Sequence, residues 1–159
     1  MNKSHMTEKD ALQKAMNWCS KMERSTFDVQ MKLYSWGMTA IQIKEILKKL
    51  EEDGFLNADR YIESYIKGKL IYKKWGKVKI KYHLKVKGFK EETIDKYLDE
   101  IVNEDEYLQM MLEQLRKKNS SLEDEDEYIR KSKIINFGAS RGYETELALQ
   151  CVDTLFKQE

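Results

Sequence analysis

A chain of 159 residues with no proline and only 7 glycines lacks the turn-formers that a sandwich or barrel consumes, whereas helices need neither residue in their interiors. Its 29 basic and 28 acidic side chains sum to a formal charge of +1, yet residues 1–90 hold 20 basic against 10 acidic groups, net +10, and residues 91–159 hold 9 against 18, net −9. No apolar run approaches the roughly 20 residues that cross a bilayer, no signal-peptide core opens the chain, and neither Cys19 nor Cys151 has a C-x-x-C partner, so the expectation is a cytoplasmic protein with reduced thiols and no metal.

In chain order, Met1 to Met6 follows no period and reads as a disordered lead-in or an expression remnant. Thr7 caps a helix over about 8–21, and Ser25 with Asp28 caps a second over about 26–36. Thr39 with Gln42 forms a capping box for a third over about 40–52, which Asp53-Gly54 ends. Further helices fall near 58–74, 77–87 and 91–103, then near 105–118, 124–140 and 144–157. The second helix of the last triplet is preceded by Asn119-Ser120-Ser121 and entered through the acidic run Glu123 to Glu127, a loop entering a helix with Ser121 and Asp124 as caps. That run lacks the spacing and central glycine of an EF-hand.

These helices repeat. Aligned on Gly37, Gly88 and Gly142, three segments recur at intervals of 51 and 54 residues. Each glycine is followed by a large apolar residue (Met38, Phe89, Tyr143); Leu47, Leu98 and Val152 come ten positions on, and Leu50, Ile101 and Leu155 thirteen on. A glycine after a helix closes the last carbonyls in a left-handed conformation without a Cβ penalty. The chain therefore divides into three three-helix repeats, 7–56, 57–103 and 104–159, each too small to bury much surface unless it stacks on a neighbour.

One segment pulls the other way. Between Gly76 and Gly88, Val78, Ile80, Tyr82, Leu84 and Val86 alternate with polar residues as in a strand. A lone strand leaves its backbone unsatisfied, so the repeat favours a helix with two apolar lobes, Val78-Tyr82-Val86 and Ile80-Leu84, clasped between two neighbours.

The functional signal is the basic tract. No acidic residue occurs between Ser64 and Glu91, while Lys67, Lys69, Lys73, Lys74, Lys77, Lys79, Lys81, Lys85, Lys87 and Lys90 all do. On a helix, Lys77, Lys81 and Lys85 form a ridge able to follow a phosphate backbone or an acidic protein surface. The interleaved Tyr65, Tyr72, Trp75 and Tyr82 are placed mostly in the core. His83 is the only histidine beyond the lead-in, Cys19 has no evident base, and no H-E-x-x-H, P-loop or G-x-S-x-G occurs, so neither an enzyme nor a cofactor is expected.

With repeat and basic centre established, the sequence resembles the RecX family, bacterial regulators of the RecA recombinase. Cys19 to Ser25 is similar to the family's opening basic-plus-serine turn. Asp53-Gly54-Phe55-Leu56-Asn57-Ala58-Asp59-Arg60-Tyr61 resembles its G-[YF]-[LI]-x-D-x-x-[FY] entry. Trp75 to Leu84 with Lys87-Gly88-Phe89 resembles the G-x-x-x-I-x-x-x-L-x-x-K-G-[IF] that follows, and Ser140-Arg141-Gly142-Tyr143 the arginine-glycine-aromatic signature. The resemblance runs from about Asp10 to Phe156. It implies an all-α tandem array of three three-helix modules forming an elongated, curved body, a monomer without catalysis of its own. Such a body lies in the groove of the RecA–single-stranded-DNA filament, binds DNA weakly, and modulates ATP hydrolysis, strand exchange and the SOS response, mostly as an inhibitor. The expected contact residues are Lys67, Lys69, Lys73, Lys74, Lys77, Lys79, Lys81, Lys85 and Lys87, with Arg24, Arg60 and Arg141 at module junctions. A stand-alone DNA-binding helical protein, or a scaffold for another protein partner, stays open beside this reading.

Overall fold

The computed structural model describes residues 5–123 and 125–157, so the first four residues of the lead-in and the Asp124 cap lie outside the described residues. Met6, at the end of that lead-in, already packs against the first hydrophobic core. Among the described residues there are nine helices and no strand: α1 (Glu8–Lys21), α2 (Thr26–Ser35), α3 (Ala40–Glu52), α4 (Ala58–Ile71), α5 (Lys77–Val86), α6 (Glu91–Ile101), α7 (Glu104–Ser120), α8 (Glu127–Arg141) and α9 (Thr145–Lys157). This is the all-α tandem helical array that the sequence predicts.

The caps explain where the early helices begin. Thr7 accepts the Asp10 amide, and Ser25–Asp28 and Thr39–Gln42 close reciprocal capping boxes. Two boundaries differ from expectation. α8 starts at Glu127, because Asp126 accepts the Ile129 amide, while the Ser121 amide instead closes α7 on the Lys117 and Lys118 carbonyls. α4 stops at Ile71 rather than near 74, because Lys74 adopts a left-handed φ of 56° and the Trp75 amide turns back to the Lys69 carbonyl.

The contacts divide the chain into two compact units, Met1–Ser64 and Tyr65–Glu159. In the first, α1 packs on α2 and α3 through Ala11, Ala15, Val29, Leu33, Ile46 and Leu50, each at most 2% exposed. Burying an aliphatic side chain of that size contributes about 2 kcal/mol. In the second, α5 packs on α6, and α7, α8 and α9 pack on one another around Met111, Leu115, Ile134, Ala148 and Leu155. The repeat phases coincide with the cores: Val29, Ile80 and Ile134 occupy matching positions, as do Ile43, Ile94 and Ala148, and all six are buried.

The alternating segment is helical, but only half clasped. Ile80 and Leu84 are fully buried, whereas Val78, Tyr82 and Val86 are 54%, 64% and 53% exposed, so the second lobe has no neighbour in the described chain.

Candidate functional site

The turn between α4 and α5 is held from outside by α7 and by the turn between α8 and α9. The Gly76 amide donates to the Arg141 carbonyl at 2.7 Å, and the Val78 amide to the Gly142 carbonyl at 3.0 Å. The end of α8 thus caps the start of α5, orphan carbonyls meeting orphan amides. Between those two, the Lys77 amide donates to the Tyr107 hydroxyl, which in turn donates to Glu144. Burial, reinforced by that carboxylate, raises the Tyr107 phenol far above its usual range, so it remains a donor. Tyr143, buried and pushed up to about 12, donates to the Lys74 carbonyl at 2.7 Å. Arg141 reaches the Lys73 carbonyl at 2.9 Å, and Lys79 reaches the Ser140 carbonyl at 3.2 Å. Close approach makes both glycines obligatory: a Cβ on Gly76 would lie 2.2 Å from the Gly142 oxygen, and one on Gly142 would lie 2.2 Å from the Lys79 Cβ.

On this fixed turn the ten lysines separate into groups. The ridge on α5 exists, but its ammonium groups lean onto acids from the following helices. Lys77 pairs with Glu104, Lys81 with Glu91 at 2.7 Å and Asp95 at 2.9 Å, and Lys85 with Glu91 at 3.4 Å. The hydrogen bonds that Lys81 donates to Glu91 and then Asp95 raise its ammonium, and Lys81 in return holds the Glu91 carboxyl below its ordinary range. Pairs this exposed add little to stability, but they reduce the charge the ridge offers a partner.

Lys69, Lys73 and Lys79 differ: among the described residues none of the three has a carboxylate partner. Lys69 and Lys79 place their ammonium groups 4.6 and 4.4 Å from the Trp75 ring centroid, and His83 stacks on the same ring at 5.0 Å. Cation–π contact with an indole orients both lysines without neutralising them. Burial, and then the charges of Lys73, Lys87 and Lys79, lower the Lys69 ammonium; burial, and then Lys79, Lys69 and Lys87, lower His83. Four ammonium groups and an imidazole therefore converge from α4, the two turns and α5, a distribution that favours an anion in their midst. The first amides of α5 are consumed by the Arg141 and Gly142 carbonyls and the Tyr107 hydroxyl, so anion recognition falls to these side chains rather than to a helix N-terminus. Of the remaining lysines, Lys67 and Lys90 are exposed and Lys74 half-buried.

The three arginines are engaged internally. Arg24 stacks 4.0 Å over Trp18 and reaches its carbonyl, Arg60 bridges Glu23 at 2.9 Å and the Gly54 carbonyl at 2.8 Å, and Arg141 stacks over Phe137 while holding Lys73. Each fastens a turn. The aromatics of the basic tract are not core residues: Tyr72 is 83% exposed, Tyr82 64%, and Tyr65 and Trp75 half-buried. Their helices turn that edge outward because Ile66, Ile80 and Leu84 already fill the interior. Sequence reasoning missed Tyr107 and Glu144, whose only signal is a tyrosine and a carboxylate at helix starts. Both cysteines are buried, and burial raises their thiols, which makes them packing groups. Among the described residues no cluster of His, Cys, Asp or Glu suits a metal ion, and no helix is long and apolar enough to cross a membrane.

Two family models match this chain: the second three-helix domain of RecX over residues 59–98, and the third over residues 104–152. The chain is 30% identical over 136 residues to regulatory protein RecX of Clostridium acetobutylicum, covering 84% of this chain and 63% of that protein, so it spans somewhat less than two thirds of that relative. It is 30% identical over 146 residues to regulatory protein RecX of Clostridium perfringens strain SM101 (91% and 68%), and 27% identical over 150 residues to that of Chlorobium phaeobacteroides (94% and 96%). The fold is similar to the crystal structure of RecX from Lactobacillus salivarius, with a TM-score of 0.78 at 20% identity over 93% of this chain and 96% of that one.

Proposed function

The chain belongs to the RecX family, and from that premise we propose that it is a non-enzymatic, inhibitory regulator of RecA that binds the RecA–single-stranded-DNA filament and slows its ATP hydrolysis and strand exchange. The observation that carries the surface assignment is the pair of ammonium groups on Trp75, Lys69 and Lys79, with the Lys73 charge acting on Lys69, none of the three with a carboxylate partner among the described residues. A polyanion relieves the mutual repulsion of these groups and releases its own counterions on binding. Lys67, Lys74 and Lys87 extend the same surface, while Lys77, Lys81 and Lys85 serve it less because Glu104, Glu91 and Asp95 hold them. Arg24, Arg60 and Arg141 act as fasteners of the turns on which the modules 7–56, 57–103 and 104–159 are built. The protein works as a cytoplasmic monomer without cofactor, and binds naked DNA more weakly than the filament.

The experiment is DNA-dependent ATP hydrolysis by purified RecA on single-stranded DNA. The parent protein is expected to slow it at sub-stoichiometric amounts, and Lys69→Glu/Lys73→Glu/Lys79→Glu to lose at least tenfold in potency. A parent that leaves the ATPase untouched while binding naked DNA equally with or without RecA would replace this reading with that of a stand-alone DNA-binding protein.

A further inference from the structure

A second aromatic ring with two cations adjoins the Trp75 cluster. In the last turn of α7, the Lys118 ammonium lies 5.7 Å from the centroid of the Phe137 ring. In the last turn of α8, the Arg141 guanidinium lies 4.9 Å from the same centroid. This repeats the arrangement at Trp75, where Lys69 and Lys79 share one indole. Two hydrogen bonds join the surroundings of the two rings: Arg141 donates to the Lys73 carbonyl at 2.9 Å, and Lys79 to the Ser140 carbonyl at 3.2 Å. All of these residues belong to the unit Tyr65–Glu159.

Neither Lys118 nor Arg141 has a carboxylate partner among the described residues, although both stand in the part of the chain that carries −9. A cation in the last turn of a helix answers the helix dipole, and Lys117 beside Lys118 does that as well. The dipole does not account for a second helix delivering its own cation to the same ring. Each cation–π contact contributes about 0.5–1 kcal/mol at an exposed site, and two like charges gathered at one ring oppose each other. An anion within reach of both removes that opposition. Holding the Lys73 carbonyl occupies one N–H of Arg141, and a guanidinium has about five in a planar fork that suits phosphate.

We propose that Lys118 and Arg141 at Phe137 form a second phosphate-contact point, so that a single-stranded DNA backbone runs from the Trp75 cluster past the Arg141–Lys73 contact onto the ends of α7 and α8. The inference rests on the polyanion reading of the Trp75 cluster given above, and it extends that surface onto a part of the chain whose net charge conceals it.

The test follows binding of the full chain to an oligothymidylate across salt concentration, for the parent, Lys118→Ala, Lys118→Arg and Lys117→Ala, each shown by thermal melting to keep the fold. On single strands each lost phosphate contact makes the slope of log affinity against log salt shallower by about 0.7, so Lys118→Ala is expected to show that change and to bind about fivefold more weakly at about 0.1 M salt. Lys118→Arg is expected to keep the parent slope, and Lys117→Ala to change it by less than about 0.3. The Lys118→Ala loss is expected to recur on the RecA–single-stranded-DNA filament. A slope left unchanged by Lys118→Ala, or changed equally by Lys117→Ala, would overturn the inference, as would a parent with no affinity for the oligonucleotide. A loss confined to the filament would also overturn it, by assigning this corner to protein carboxylates. Failure of the proposed function looks different: a parent that binds the oligonucleotide with the expected Lys118 dependence but leaves the RecA ATPase untouched removes that function and leaves this contact standing.

Discussion

Gly142 stands where the end of one helix meets the start of another, and it answers to two demands at once. Its φ of 86° lies in the left-handed region, and its missing Cβ leaves room for Lys79. Gly142→Ala is therefore expected to destabilise the protein by about 2–4 kcal/mol, through left-handed strain plus the displacement of α5. Gly138, four residues earlier, is a control of the same chemistry. It is helical, and a Cβ there would meet Ala148, Leu115 and Tyr143 at 3.6 Å, an ordinary contact. Gly138→Ala is expected to be neutral or to stabilise by up to about 1 kcal/mol. Urea unfolding of the two variants beside the parent checks both. The glycine phase was legible in the sequence because it repeats three times. The clash with Lys79 was not, since it depends on which helix start the turn at Gly142 abuts, and no local pattern records that.

At the scale of the element, α5 shows what local pattern can and cannot decide. Period-two alternation suggested a strand, and the repeat suggested a helix; the helix forms because its first amides are satisfied by Arg141, Gly142 and Tyr107, which a lone strand would lack. The lysine ridge was legible from spacing, but its pairing with Glu91, Asp95 and Glu104 was not, because those acids lie on following helices. His83 makes the opposite edge of α5 sensitive to pH. Burial, then Lys79, Lys69 and Lys87, hold it below its ordinary value of 6.5, so the folded chain binds fewer protons than the unfolded one near that pH. Its contribution to stability is accordingly present above pH 6.5 and lost as the pH falls below it. A bound polyanion reverses the preference by favouring the imidazolium, so affinity for single-stranded DNA is expected to rise as the pH is lowered from 7.5 to about 5.5. In His83→Gln both trends should flatten, read by denaturation and by binding isotherms over that range. Persistence of the affinity trend in that variant would place the titrating group elsewhere.

For the whole molecule, the charge divides into +10 and −9 parts along the chain, and part of the acidic share serves internal contacts. Glu104 and Glu144 belong to the acidic half, yet they bind Lys77 and Tyr107 and so help to set the basic turn. Composition alone revealed the asymmetry. It did not reveal that the third module fixes the geometry of the second, because that follows from hydrogen bonds between residues more than 60 positions apart, such as Arg141 to Lys73 and Tyr143 to Lys74. The account predicts that lysines are unequal by virtue of their neighbours. Lys69→Ala/Lys73→Ala/Lys79→Ala removes three cations that no carboxylate offsets, whereas Lys77→Ala/Lys81→Ala/Lys85→Ala removes three that carboxylates already hold.

Salt dependence of filament binding tests that claim most directly. The slope of log affinity against log salt concentration for the RecA–single-stranded-DNA filament, measured for the parent and the two triple variants, counts the phosphates that each set neutralises. Removing Lys69, Lys73 and Lys79 is expected to make the slope shallower by about 2, and removing Lys77, Lys81 and Lys85 to change it by less than about 1. A slope unchanged by the first set and flattened by the second would contradict the account.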